Sequence, residues 1–253
     1  MTDRPIRLLH TLLGLSFCLL FSPHIFAVPA LAPFEVDYDI ERSGLTLIEM
    51  HRRLLVSADG DYRFESDSRP TSALRWLFKD RIHETSSWRF AGNDPRPQVY
   101  RYERSGGRNE KAVELVFDWS QNTVTDKRSK PVWSTKISAD TTDKLLYQLQ
   151  LMLDLGDDTE TLDYTIADDG KIRHYQYRKI GEETLDLDSG AFKTIKLRQD
   201  DGRRSTTIWC APAFNYLPVR IEHTGKDGSR TQANVTRIKG LPFTADQKMD
   251  KSH

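Results

Sequence analysis

Residues 217–238 read LPVRIEHTGKDGSRTQANVTRI, and this stretch decides the fold class. Leu217, Val219 and Ile221 alternate with polar or charged residues, and alternate side chains of a β-strand project to the same face. The Asp227-Gly228 pair that follows supplies the positive φ angles of a tight hairpin turn. The stretch therefore predicts two antiparallel strands with one buried face.

The same alternation recurs along the chain. Two further runs of this kind contain Phe34, Val36, Tyr38 and Ile40, and Val113, Leu115, Phe117 and Trp119. Turn signals with an Asp-Gly pair stand at residues 58–61, 168–171, 200–203 and 226–229. Residues 159–238 are therefore predicted to form a meander of long strands. We expect a mainly β fold in which a large curved antiparallel sheet, or half-barrel, is covered by helices.

Two segments depart from the period of a strand. Residues 141–155 are predicted to form the main helix, with Asp140 or Thr141 as its N-cap. Its apolar residues follow the spacing of one helix face, and they are Leu145, Leu146, Leu149, Met152 and Leu153. A short second helix is predicted over residues 71–78, directly after Pro70.

The first 27 residues have the order of a secretory signal peptide. Two arginines precede an apolar run over residues 12–21, which at about ten residues is too short to span a bilayer that needs roughly 20. Cleavage is expected between Ala27 and Val28, with cleavage after Ala30 as the alternative. We therefore expect an exported, soluble protein of the periplasm that does not span the membrane after cleavage.

The domain organisation follows from these assignments. Residues 1–27 are predicted to be the signal peptide, residues 28–243 a single β-rich domain, and residues 244–253 a disordered tail. The chain has 37 basic and 37 acidic residues, and cleavage after Ala27 would leave 35 basic and 36 acidic ones. This balance argues against a nucleic-acid partner, because such proteins carry an excess of basic residues.

Motifs for catalysis or for cofactor binding are absent from the sequence. The histidines show neither H-x-x-x-H nor H-E-x-x-H spacing, no serine lies in a G-x-S-x-G motif, and Gly106-Gly107 lacks the rest of a phosphate-binding loop. We therefore predict no catalytic residue, no metal site and no cofactor. Cys210 would be the sole cysteine after signal cleavage, and we expect it to be a buried packing residue.

Four short motifs resemble those of a known family. They are F-x-x-x-Y from Phe34, F-D-W from Phe117, Y-Q-L from Tyr147 and L-P-V-R-I-E from Leu217. Together they resemble the bacterial envelope family called domain of unknown function 3108, over roughly residues 34–241. The resemblance implies a periplasmic β-rich domain, comparable to the half-barrel lipoprotein carriers, and it supplies no catalytic residues.

The aromatic residues suggest a binding role. Trp76, Trp88 and Trp119 are candidate ligand-binding residues, because a large curved sheet with few helices can leave an apolar wall; simple core filling is the alternative. The leading hypothesis is a non-enzymatic binder or carrier of a hydrophobic envelope component such as lipid. The alternatives are an assembly or structural partner of another envelope protein, which would use a strand edge, and an enzyme with a dispersed site. An apolar cavity would favour the first hypothesis.

Overall fold

Fifteen β-strands form one continuous sheet in the computed structural model, which describes residues 31–156 and 158–241. The predicted signal peptide, its cleavage site at Ala27 and Val28, and the predicted tail over residues 244–253 lie outside the described residues. In chain order the strands are β1 Phe34–Arg42, β2 Leu45–Val56, β3 Tyr62–Pro70, β4 Arg81–Ala91, β5 Asp94–Ser105, β6 Lys111–Asp118, β7 Thr123–Asp126, β8 Trp133–Lys136, β9 Thr141–Asp143, β10 Thr161–Asp168, β11 Lys171–Leu187, β12 Gly190–Asp201, β13 Arg204–Ala211, β14 Leu217–Thr224 and β15 Arg230–Lys239.

The sheet consists of two meanders joined at its centre. Strands β1 to β8 pair with one another in chain order, and so do strands β10 to β15. Strand β1 pairs antiparallel with β15 and thereby joins the two meanders. Strand β9 pairs in parallel with β10 and forms one edge of the sheet, while β8 forms the other edge. The predicted large antiparallel sheet is thus confirmed.

The predicted Asp-Gly turns all connect successive antiparallel strands. Asp169 and Gly170, between β10 and β11, have φ angles of 48° and 71°. Two consecutive positive φ angles are typical of a type I′ turn, whose twist matches that of the two strands of a hairpin. The turns at residues 58–61, 200–203 and 226–229 join β2 to β3, β12 to β13 and β14 to β15.

The sheet curls so that distant strands meet. The Ser86 hydroxyl on β4 donates a hydrogen bond to Asp143 Oδ2 on β9 over 2.6 Å. Lys111 Nζ lies 2.5 Å from Asp169 Oδ2, which links β6 to the turn between β10 and β11. The edge strands β8 and β9 do not pair with each other among the described residues, so the curled sheet stays open.

The main helix is shorter than predicted. Helix α1 spans Tyr147–Asp154, because Thr141–Asp143 forms strand β9 with β10 and the backbone of these residues is used in the sheet. Asp143 Oδ1 accepts hydrogen bonds from the backbone N–H groups of Leu145 and Leu146 over 2.9 and 2.8 Å. Asp143 therefore holds the turn that leads into α1, and the N-cap predicted at Asp140 or Thr141 is wrong.

The second predicted helix is absent from residues 71–78. The segment forms successive turns, in which Leu74 O accepts the backbone N–H groups of Leu77 and Phe78 over 2.9 Å. Short helices depend on tertiary packing for stability, and the apolar side chains at the end of this segment are exposed. Besides α1, the described residues contain a 3₁₀ helix over Pro212–Phe214, and no described helix is long and apolar enough to cross a bilayer.

Helix α1 lies between two apolar clusters inside the curve of the sheet. Leu145, Leu146, Leu149 and Met152 of the predicted stripe are buried in the larger cluster, which also contains the inward-facing Phe34, Val36 and Tyr38 of β1. Leu151 and Leu155, which are outside the predicted stripe, are buried in a second cluster against β10 to β13. The helix is therefore enclosed on two flanks and is a central part of the core.

Candidate functional site

An apolar cleft of about 260 Å³ lies between α1 and the face of the sheet that carries the helix. Its volume is near the lower limit of small-molecule sites, which enclose roughly 300 to 1,000 Å³. The apolar and aromatic lining residues are Ile40, Met50, Tyr147, Leu151, Ile208, Pro218, Ile221 and Ala233. The polar lining residues are Arg52, Gln148, His223 and Thr231.

The floor of the cleft is one row of side chains across the centre of the sheet. Ile40 on β1 is opposite Ala233 on β15, Ala233 is opposite Ile221 on β14, and Ile221 is opposite Ile208 on β13. Directly opposed residues of antiparallel strands bring their side chains together on one face. The small Ala233 stands between two isoleucines, so it leaves space beneath α1.

Arg52 on β2 brings a positive charge to the cleft. Its Nη1 donates to Gln148 Oε1 on α1 over 2.7 Å, its Nε lies 3.4 Å from Ser66 Oγ, and its guanidinium carbon is 5.6 Å from the centre of the Tyr38 ring. Within residues 31–156 and 158–241, no carboxylate forms an ion pair with Arg52. A guanidinium has five N–H donors, so Arg52 can donate further hydrogen bonds to an anion in the cleft.

A group of tyrosines supports the end of α1 that borders the cleft. The ring centre of Tyr147 lies 5.8 Å from those of Tyr164 and Tyr175 and 6.4 Å from that of Tyr177. Burial raises the pKa of Tyr147 and that of Tyr177, so both hydroxyls stay neutral over the physiological range. The hydroxyl oxygens of this pair are 3.4 Å apart. These contacts hold Tyr147 as a fixed wall of the cleft.

The predicted ligand-binding tryptophans lie elsewhere. Trp76 is 78% exposed in the turns after β3. Trp88 is fully buried on β4, where it stacks on Tyr62 with 5.3 Å between the ring centres. Trp119 donates from Nε1 to the carbonyl oxygen of Pro97 over 2.8 Å. None of the three is among the described residues that line the cleft, and a ligand role for them stays a prediction.

Besides the tyrosines, Cys210 and Asp143 are buried near α1. Cys210 is buried as predicted, and its burial raises the pKa of the thiol. Burial also raises the pKa of Asp143 to about 6, although hydrogen bonds from Ser86 and from the backbone of Leu146 and Leu145 oppose this shift. The partners of Asp143 hold the turn before α1 and attach β9 to β4, so its contacts are structural.

The sequence patterns did not reveal a charged row on the opposite face of the sheet. Asp37, His51, Asp67 and His83 are successive cross-strand neighbours on β1 to β4, and Arg237 on β15 is opposite Asp37. His51 Nδ1 lies 2.6 Å from Asp37 Oδ1, and His83 Nδ1 lies 2.7 Å from Asp67 Oδ1. Burial opposes ionisation of Asp37, but hydrogen bonds from Arg237 and His51 lower its pKa overall. The pairing depends on strand register, which the sequence alone did not establish.

This row borders an open depression of about 1280 Å³ that has a mixed polar and apolar lining. No group of three or more His, Cys, Asp and Glu side chains among the described residues is arranged to hold a metal ion. These side-chain pairs contribute cross-strand contacts to the sheet, each of roughly 0.2 to 1 kcal/mol.

A long antiparallel sheet curled around one helix defines a barrel-like β fold. The chain belongs to the family described as protein of unknown function DUF3108, whose model matches residues 33–235. This match confirms the family resemblance seen in the sequence motifs. Comparison of the sequence with curated proteins gave no match.

Two solved structures match most of the chain at low sequence identity. A β-barrel-like protein of the unknown-function family DUF1849 from Brucella abortus is 13% identical, with a TM-score of 0.57, and the match covers 83% of this chain and 98% of that chain. A protein with a YmcC-like fold from Bacteroides fragilis is 10% identical, with a TM-score of 0.32, and the match covers 81% of this chain and 95% of that chain. The Brucella structure supports the fold and carries no information on activity.

Proposed function

We infer that this chain is a non-enzymatic binding protein for an amphiphile with one acyl chain and an anionic head group. The observation that carries the inference is the position of Arg52, a cation without a carboxylate partner in the described part of the chain, beside an apolar cleft. The acyl chain would lie on the row from Ile40 to Ile208 beneath α1, and the head group would contact the guanidinium.

The dimensions of the cleft limit what it can hold. A volume of about 260 Å³ accommodates part of one acyl chain rather than a complete two-chain lipid. Each CH₂ group removed from water contributes about 0.8 kcal/mol, so several of them provide useful affinity with few polar contacts. A fatty acid or a lysophospholipid has the required chemistry.

The alternative functions have less support from the geometry. The edge strands β8 and β9 have four and three residues, which is short for a partner that adds a strand to the sheet. Cys210 is buried, whereas a catalytic thiolate needs access to substrate and a lowered pKa. Both features favour a binding role over the two alternatives.

The proposed cellular location depends on the N-terminal leader. The predicted signal peptide over residues 1–27 would deliver the protein to the periplasm, where acyl-chain amphiphiles of the envelope are present. Fractionation of cells and N-terminal sequencing would test this part of the proposal, and a mature chain that starts at Val28 is the expected result.

The cleft is tested by titration calorimetry with fatty acids of increasing length and with the alcohols of the same length. We expect the dissociation constant to fall about fourfold for each added CH₂ group until the cleft is full. Arg52→Gln should weaken the binding of acids and leave that of alcohols nearly unchanged. Arg53→Gln is the matched control, because Arg53 pairs with Glu65 on the opposite face of the sheet.

A second variant tests the location of the ligand. Ala233→Leu would fill the space between Ile40 and Ile221, so it should abolish binding of every chain length. Ala112→Leu, at an exposed alanine on β6, is the control for the added side chain. Binding that does not depend on chain length, or that survives Ala233→Leu in a folded protein, would contradict the proposal.

A further inference from the structure

Three consecutive large apolar side chains project from one end of the sheet. Trp76, Leu77 and Phe78 are 78%, 55% and 50% exposed in the connection between β3 and β4. The other exposed large apolar side chains of the described residues stand singly, and they are Leu45, Leu55, Val132 and Ile180. A contiguous exposed apolar group marks an interaction site, whereas scattered residues need no explanation. We call residues 74–79 the tryptophan loop.

Basic side chains flank this apolar group. Arg75 precedes it and Lys79 follows it; both are exposed, and neither forms an ion pair with another residue in the described ranges. The neighbouring acid, Asp80, accepts a hydrogen bond from Arg104 Nε over 2.7 Å, so its charge is compensated. The loop therefore presents a net positive charge around an apolar tip.

A second connection supports the tryptophan loop from the side. A Cβ atom at Gly106 would collide with the carbonyl oxygen of Lys79, so the glycine allows close packing of the two backbones. The exposed Arg108 lies in this second connection and adds another cation at the same end of the sheet, although Glu110 is also exposed there. The packing fixes where the apolar tip and its cations stand relative to the sheet.

Five acidic residues line the adjoining depression; Asp37, Glu49 and Asp67 face a basic or imidazole partner, whereas Asp39 and Glu103 form no ion pair in the described ranges. Asp67 lies 2.7 Å from the ring of His83, and Glu49 pairs with Arg69 over 3.2 Å. Each of these two acids has its own basic or imidazole partner on the neighbouring strand. Lys79 and Arg75 remain available to an external anionic surface.

We propose that the tryptophan loop docks this protein on the surface of an anionic lipid bilayer. Trp76, Leu77 and Phe78 enter the interfacial region, where the indole ring places its apolar body among acyl chains and its N–H at the head groups. Arg75 and Lys79 contact the lipid phosphates. A tip of three residues is far smaller than the roughly 800 Å² per partner of a stable protein interface, whereas membrane association needs only a few apolar side chains with cations.

The test is flotation of the purified full chain with vesicles made of equal parts phosphatidylglycerol and phosphatidylcholine, compared with phosphatidylcholine alone. We expect binding to the anionic vesicles, a decrease of that binding with added salt, and a blue shift of tryptophan emission. Trp76→Phe should retain binding and lose most of the shift, since Trp88 and Trp209 are buried and the partly buried Trp119 and Trp133 lie outside the loop. Absence of binding to anionic vesicles would overturn the proposal.

Matched variants separate the loop from the rest of the protein. The triple variant Trp76→Ser, Leu77→Ser, Phe78→Ser should lower the vesicle partition coefficient on the order of a hundredfold. The control is Leu45→Ser with Val132→Ser, two exposed apolar residues that are 66% and 64% exposed elsewhere on the surface, and it should bind like the wild type. Intact mass establishes that all chains carry the same N-terminus.

Charge variants complete the test. Arg75→Gln and Lys79→Gln should each weaken binding about fivefold, because a cation near an anionic surface contributes about that factor. The exposed Lys226 and Arg230 serve as control positions for the same substitution. The proposal is overturned if the triple variant binds vesicles like the wild type, or if the wild type forms a dimer in sedimentation experiments that the triple variant cannot form. The Arg52→Gln and Ala233→Leu variants should bind vesicles normally, so failure of the cleft proposal would be distinguishable.

Discussion

Helix α1 and the tryptophan loop are connecting segments of similar composition, but α1 is buried and the apolar side chains of the loop are exposed. Both contain leucines and aromatic residues; the tryptophan loop follows β3 of the first meander, and α1 follows β9 beside the second meander. The curled sheet encloses α1 on two flanks, with Leu149 and Leu151 at 1% and 0% exposure. The tryptophan loop lies outside the curve, and Trp76 to Phe78 face solvent. An apolar segment thus becomes core or surface according to which side of the sheet it reaches.

The contrast also explains the local backbone. Inside the sheet, Asp143 and the packing of Leu145 and Leu146 hold the chain at the point where α1 begins. In the tryptophan loop, Leu74 O accepts two backbone N–H groups and helical bonding goes no further than one turn. A short helix that lacks a packing surface is marginal in water, so the loop stops there.

The strongest test of this contrast places a carboxylate in each segment. Leu151→Asp should lower the free energy of unfolding by at least about 3 kcal/mol, because it removes a buried leucine and adds an unpaired buried charge. Leu77→Asp should change it by less than about 0.5 kcal/mol, because the side chain remains in water. Urea unfolding of the two variants measures the difference. Equal destabilisation would show that one of the segments is misplaced.

The acidic residues adjacent to the two segments also differ. The pKa of Asp143 is raised to about 6, so the folded state holds a proton that the unfolded state releases near pH 4. The contribution of this group to stability therefore falls as the pH rises from about 4 to about 6 and stays constant above. Asp143→Asn keeps an acceptor oxygen without the charge, and it should stabilise the protein at pH 7 on the order of 2 to 3 kcal/mol, but hardly at pH 4.

Asp80→Asn is the matched control for Asp143→Asn. Asp80 pairs with Arg104 at the partly exposed base of the tryptophan loop, so the substitution should cost less than about 1 kcal/mol at pH 7. Urea unfolding at pH 7 and pH 4 gives both comparisons. A stability difference between Asp143→Asn and the wild type that is the same at the two pH values would refute the assignment of the raised pKa.

The smallest expected effect concerns the support of the tryptophan loop. Gly106 and Gly92 have φ angles of 81° and 67°, so alanine strains both by about 1 kcal/mol. At Gly106 the new Cβ would also collide with the carbonyl oxygen of Lys79, whereas at Gly92 it meets nothing within 4 Å. Gly106→Ala should therefore melt at a lower temperature than Gly92→Ala in calorimetry. Identical melting temperatures would mean that the two backbones are not in contact.

Local patterns in the sequence predict much of the fold. The alternation in Phe34, Val36 and Tyr38 and the Asp-Gly turns are short-range signals, and each specifies its strand or hairpin without the rest of the chain. The predicted stripe of α1 did not include Leu151. This residue is buried because the curled sheet covers a second flank of the helix, which local sequence does not specify. The helix predicted over residues 71–78 is absent because the end of this segment has no packing surface, and local sequence does not show whether such a surface exists.

The candidate site was less accessible to sequence reasoning. The cleft depends on the register that sets Ile40 opposite Ala233 and Ala233 opposite Ile221. Arg52 is one of many arginines in the chain, and its place beside the cleft, in contact with Gln148 on α1, is set by the folded structure. The tryptophans were predicted as ligand-binding residues because they are large and aromatic. Residue type alone does not indicate which of them is buried or lines a cleft.

The pairing of β1 with β15 has a consequence for the order in which the protein folds. These strands are the first and the last of the described chain, yet they stand side by side in the middle of the sheet, with Glu35 opposite Lys239. Strand β1 cannot acquire its second neighbour until almost the whole chain is available, so a central seam of the sheet closes late. Up to that moment two incomplete meanders each expose an unpaired backbone edge, which is the kind of surface that aggregates. The interval before β15 reaches β1 is therefore the stage at which the folding chain is most exposed to aggregation.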